Sequence, residues 1–122
     1  MINSKILEFA QDISSYGLKN TSKNFASIKN KKCGDKIKVE LEVKNKIIKN
    51  MRYETESCIF CQASASVLAK YIKKNKVKNI KNLISFQNFK FLLSKKYLGR
   101  KECVMLPVDA IKIGRASCRE RV

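Results

Sequence analysis

Apolar positions recur along the chain in two rhythms. In residues 4–16, Ile6, Leu7, Phe9, Ala10 and Ile13 fall at helical spacing, with Ser4 placed as an N-cap and Gly17 as a C-cap. Residues 18–32 are polar and lysine-rich, and read as a loop with a short edge strand at residues 25–28. Loops of that length are often functional. The period then drops to two. Ile37, Val39, Leu41 and Val43 alternate with Lys38, Glu40 and Glu42, as in a half-buried antiparallel strand. Lys44-Asn45-Lys46 makes a turn. Ile47, Met51 and Tyr53 then face one way on a second strand, with Arg52 and Glu54 on the other side. The pattern predicts a hairpin.

Helical spacing returns over residues 59–74, where Ala63, Val67, Leu68, Tyr71 and Ile72 form the buried stripe. The small residues Ala63, Ser64, Ala65 and Ser66 let the first turns lie close to a sheet. Shorter helices are predicted at residues 77–83 and 86–97, the latter ended by Leu98-Gly99. A last helix carries Leu106, Ala110 and Ile111, and Pro107 is expected in its first turn. The end of the chain, IGRASCRERV, breaks this pattern and exchanges lysine for arginine. It resembles the translated read-through of a sequencing-adapter oligonucleotide. The expected division is therefore a domain at residues 1–112 and a non-native tail at residues 113–122, which sets Cys118 aside.

Three of the remaining cysteines sit at element edges. Cys58 lies where the strand pattern gives way to the helix. Backbone N–H groups and the helix dipole there stabilise a thiolate. Cys33, in Cys33-Gly34-Asp35, precedes the first strand of the hairpin, so it should neighbour Cys58, which follows the second. Cys103 sits at the start of the last helix. Three thiolates with the Asp35 carboxylate make a four-ligand set that suits tetrahedral zinc, and iron–sulfur clusters also take cysteine thiolates. Cys58 and Cys61 form a Cys-x-x-Cys, but a hairpin context without a nearby proline speaks against a thioredoxin-like oxidoreductase. Cys61 is either a core thiol or an auxiliary ligand. The chain has no histidine, which excludes His-based catalysis, and no phosphate-binding glycine loop.

The formal charge of +17 invites a nucleic-acid reading. The excess is mostly lysine spread along the whole chain, with only Arg52 and Arg100 before residue 113, and no aromatic-studded basic motif. A solvated lysine coat is the better account, so nucleic acid is not an expected partner. There is no apolar run of membrane-spanning length. The N-terminal residues fit neither a secretory signal nor a transit peptide, so a reducing cytoplasmic location is expected, with thiols or metal ligands rather than disulfides.

At these residues the sequence resembles the NifU N-terminal/IscU/SufU family of iron–sulfur cluster assembly scaffolds. The resemblance covers roughly residues 2–112. It is carried by Tyr16-Gly17, KCGDKIKVELEV, IIKNMRYETESC, the QASAS after that cysteine, and KECVMLPVDAIK. It implies an α+β fold, a small three-stranded antiparallel sheet with helices packed on one face. It also implies that Cys33, Cys58 and Cys103 receive sulfur from a cysteine desulfurase and hold iron or a transient [2Fe–2S] cluster for apo-proteins or carriers. Asp35 would be a ligand or a control on release, and Cys103 and Cys58 the sulfur acceptors. In the zinc-binding branch the same four positions hold Zn²⁺ and a persulfide is accepted. Glu102 stands where IscU-type members have His, residues 97–101 lack their proline-rich segment, and the insertion typical of SufU is absent. The implied role is that of a carrier, not an enzyme.

Overall fold

The two-residue turn Asn45-Lys46 has φ values of 54° and 65°, the left-handed pair that a tight hairpin demands. It joins β2 (Lys36–Lys44) to β3 (Ile47–Glu56). The computed structural model describes residues 4–19, 24–30 and 34–120, with backbone alone for residues 98 and 115–120. β1 (Asn24–Lys29) pairs antiparallel with the other side of β2, so the edge strand expected at residues 25–28 is present and the order is β1-β2-β3. Ala26, Ile37, Val39, Leu41, Met51 and Tyr53 are buried on one face.

Ile48, not Ile47, joins that face. Glu42 pairs with Asn50 and Val43 with Ile48, so Lys49 is an extra residue and the alternation flips across it. Period-two reading cannot see such a bulge in advance.

α2 (Ile59–Asn75) lies on β3, α5 (Lys101–Glu120) lies on β1 and β2, and the two helices pack on each other. α1 (Ser4–Gln11) covers α2 from outside. The central position of α2 explains its alanine and serine content: Ala63, Ser64, Ala65 and Ser66 are all buried. α3 (Ile80–Ser85), α4 (Gln87–Leu92) and a tighter 3-10 segment (Lys95–Arg100) lead from α2 to α5. Val77, expected inside a helix, instead exchanges two backbone hydrogen bonds with Ile48, at 2.9 and 3.0 Å. The helix starts later because the Asn79 side chain accepts from the Asn82 N–H (3.2 Å) and caps it. The single helix expected at residues 86–97 is divided after Leu92.

The first helix also ends early, at Gln11. Gly17 is no C-cap: at φ 98° it donates its N–H to the Tyr53 carbonyl (2.8 Å). Outward-facing charges of the sheet capture this segment. Arg52 donates to the carbonyls of Tyr16 (2.7 Å) and Gly17 (2.8 Å), while the carboxylates of Glu40 and Glu54 accept from the N–H groups of Lys19 (2.8 Å) and Leu18 (3.0 Å). These charge-assisted bonds fix residues 16–19 across the outer face of the sheet.

Pro107 is the seventh residue of α5, not in its first turn. It has no N–H to donate to the Cys103 carbonyl, four residues back. The pattern break at residue 113 does not end the helix, which runs on to Glu120. Gly114 is buried there, and a Cβ on it would stand 3.1 Å from Leu41 Cδ1. Among the described residues no helix is long and apolar enough to cross a membrane.

Candidate metal and sulfur site

The hairpin register builds half of the site. Lys36 and Glu56 are the last cross-strand partners, so Asp35 and Ser57 flank that final rung and Cys58 follows. Gly34 turns the chain into β2 at φ 77°, a conformation that favours glycine. The turn is closed by the Asn30 N–H donating to the Asp35 carbonyl (2.7 Å) and the Gly34 N–H donating to the Asn30 carbonyl (2.8 Å). Cys33 lies outside the described residues.

Cys58 is the N-cap of α2, with extended backbone (φ −69°, ψ 165°) and no side-chain capping bond. Its thiol is thus left for other chemistry. The Cys58 N–H donates to Asp35 Oδ1 at 3.3 Å. That places a carboxylate at a helix N-terminus, where the dipole favours negative charge. Asp35 is only 7% exposed, and its other oxygen, Oδ2, is buried with no hydrogen-bond partner. Buried carboxylate oxygens are rarely left so.

α5 supplies the third group. Cys103 is the third residue of that helix, and its thiol joins the other two: the ligand atoms of Asp35, Cys58 and Cys103 all lie within 4.8 Å of one another. Sulfurs on a tetrahedral ion at the usual zinc–thiolate length would be about 3.8 Å apart, so small movements would close the set around a cation. The unpartnered Oδ2 beside two thiols fits a metal or cluster.

Burial, and next the neighbouring Cys58, hold the Cys103 thiol well above the usual range, with Asp35 adding to the effect. The low thiol pKa expected at a helix start is therefore overridden for Cys103. A bound cation would reverse this by displacing the proton. Cys61 lies outside the trio. It is fully buried, and burial pushes its thiol up to about 11. It packs as a core residue, with its sulfur 3.9 Å from Thr55 Oγ1.

Three hydroxyls around the site were not legible as site residues. Thr55 Oγ1 lies 2.6 Å from the Lys36 carbonyl and 2.7 Å from Ser57 Oγ. Ser64, read only as a small packing residue, donates to the Val104 carbonyl at 2.6 Å and ties α2 to α5. Hydropathy treats such residues as neutral, so no periodicity could have picked them out. Beside Cys103, a groove of about 550 Å³ between β1 and the first turns of α5 is lined by Lys29, Asn30, Lys101, Glu102 and Met105.

Known proteins resemble this chain in sequence and in fold. Over 84 residues the chain is 31% identical to the iron–sulfur cluster assembly scaffold protein IscU of Thermotoga maritima, a match that spans 69% of this chain and 59% of that relative. A NifU-like protein (N-terminal) of Brucella abortus superposes with a TM-score of 0.75 at 22% identity, covering 98% of this chain and 95% of its own. FiSufU of Fervidobacterium islandicum AW-1, a candidate assembly scaffold of the SUF system, gives 0.76 at 19% identity, covering 93% and 96%. The two structures share the fold: a three-stranded antiparallel sheet with helices packed on one face. The profile of one family matches from residue 1 to residue 122, and on that match the chain belongs to the NifU-like N terminal domain family.

Proposed function

We propose that this protein is an iron–sulfur cluster assembly scaffold. Cys58, Cys103 and Asp35, with Cys33 two residues before Asp35, accept sulfur and iron and hold a transient [2Fe–2S] cluster. The cluster then passes to apo-proteins or carriers. One observation carries this reading: a buried carboxylate with an unpartnered oxygen stands beside two thiols drawn from separate elements. Iron and cluster are cargo here, and the protein turns nothing over by itself.

Sulfur delivery is a thiol–persulfide exchange. A site thiolate attacks the outer sulfur of a persulfide on a partner cysteine desulfurase. A new S–S bond forms on the scaffold, the partner's S–S bond breaks, and its thiolate leaves; an external electron donor then supplies two electrons per sulfur, cleaving the scaffold's S–S bond to give cluster sulfide and the free thiolate. Of the two described thiols in the trio, Cys58 is the more exposed and the first acceptor; the buried Cys103 is the second. The proposed setting is the cytoplasm.

A second reading is a zinc-dependent persulfide acceptor. The donor set supports it too, since sulfur and carboxylate ligands suit tetrahedral zinc equally well. Metal analysis of the purified protein, followed by anaerobic reconstitution with ferrous iron, a desulfurase with its cysteine substrate, and a thiol reductant, decides between them. Visible absorption from a bridged cluster supports the scaffold. Tightly held zinc with sulfur uptake and no cluster supports the acceptor, and neither cluster nor sulfur uptake defeats both.

A further inference from the structure

We infer that Thr55 is a positioning residue, whose hydroxyl sets the separation of Asp35 and Cys58. The inference rests on the reading of those side chains as ligands. Thr55 is on β3, one residue short of its end, and its cross-strand partner is Ile37. From there its hydroxyl reaches the Lys36 carbonyl (2.6 Å), one residue after Asp35. The same oxygen meets Ser57 Oγ (2.7 Å), one residue before Cys58. A hydroxyl has one proton and two lone pairs. The Thr55 proton goes to the carbonyl, so Ser57 donates to Thr55. The chain order is thus Asp35, Lys36 carbonyl, Thr55, Ser57, Cys58.

Backbone pairing alone leaves this end open. Beyond the Lys36–Glu56 rung there is no further ladder, and the two exiting segments are held together by the Thr55 clasp and by the longer Cys58 N–H to Asp35 Oδ1 bond of 3.3 Å. Without the clasp, the separation of carboxylate and thiol rests on that longer bond, with each segment otherwise tied only to its own side: Asp35 to Asn30 (2.7 Å) and Ser57 to Gln62 (3.0 Å). Outer contacts of this kind typically change metal affinity about 10- to 100-fold when removed. Thr55 touches neither cargo nor reacting sulfur and acts through its neighbours.

The test is an anaerobic titration of metal-free protein with Co²⁺, read by thiolate-to-cobalt charge-transfer absorption, beside unfolding midpoints measured in EDTA. Thr55→Val keeps the β-branched shape and removes the hydroxyl. It should bind Co²⁺ about tenfold more weakly, with a shifted charge-transfer band, whereas Thr55→Ser should stay near wild type. Wild-type affinity and spectrum in Thr55→Val overturn the inference, as does an equal loss in Thr55→Ser. If Thr55→Val fails to fold, Ser57→Ala carries the test: it opens the clasp at a half-exposed position, and unchanged affinity there overturns the inference. A wild-type protein without any charge-transfer band overturns the ligand reading itself, and the role of Thr55 falls with it.

Discussion

Individual side chains at the site differ most in access. Cys58 is partly exposed, Cys103 is 7% exposed and Cys61 is fully buried. Among the described cysteines of metal-free protein near pH 7.5, iodoacetamide should modify Cys58 first, with Cys61 and Cys103 lagging by more than about tenfold, because those two are buried and held as unreactive thiols. Both lagging thiols are raised, so their rates should climb as pH rises, Cys61 only toward its value of about 11. Peptide-resolved mass spectrometry reads each cysteine separately. Equal labelling of Cys61 and Cys58 at pH 7.5 would contradict the burial argument. Asp35 invites a second experiment. If its carboxylate controls release, Asp35→Ala should retain a reconstituted cluster longer than wild type under chelator challenge. Faster loss would show that the carboxylate only holds. The residue types at this site were legible from spacing. The orphaned Asp35 Oδ2 and the raised Cys103 thiol were not, since both depend on what three separate elements bury between them.

Between elements, two polar contacts decide how helices sit. Ser64 joins α2 to the Val104 carbonyl one residue beyond Cys103, beside the gap that Pro107 leaves in the helical ladder. Ser64→Ala removes that bond inside the core and should lower stability by about 1–3 kcal/mol in urea unfolding. An unchanged midpoint would mean that the helices hold their spacing by apolar packing alone. On the other side of α2, Lys70 pairs with Asp12 just after α1. The Lys70 hydrogen bond, followed by the Ser14 backbone, holds the Asp12 carboxyl at about 2. Its folded pKa is depressed, so its contribution is full above about pH 4 and is lost as pH falls through 2. Lys70 is 60% exposed, which limits the effect to under about 1 kcal/mol. Asp12→Asn should flatten stability across that window, and a wild-type slope in the variant would assign it to other carboxylates. Periodicity found α2, β2 and β3 with their buried faces. It missed the early end of α1, because the outward charges Arg52, Glu40 and Glu54 lie far along the chain from the segment they capture.

For the whole molecule, the +17 charge is a property of the surface rather than of one motif. On the sheet's outer face Lys36 has Lys29 on one side and Glu56 on the other, and Lys38 stands beside Glu54, so both signs are mixed there. Duplex DNA or RNA should therefore give no retained gel-shift complex at physiological salt, with any low-salt binding falling steeply as salt rises. A complex that survives 0.15 M salt would revive the nucleic-acid reading. What the sequence determined by itself was local. Alternation made the hairpin, helical spacing made α2, and a small turn placed a carboxylate two residues from a cysteine. Those outcomes depend on neighbours in the chain, and a single sequence carries them. The tertiary structure decided which distant atoms meet. It brought the Cys103 thiol to Asp35 and Cys58 by docking α5 across the sheet, displaced a bulge at Lys49, and turned Thr55 and Ser64 into ties. Such pairings arise from burial and hydrogen-bond geometry between segments far apart in sequence, which no local periodicity encodes.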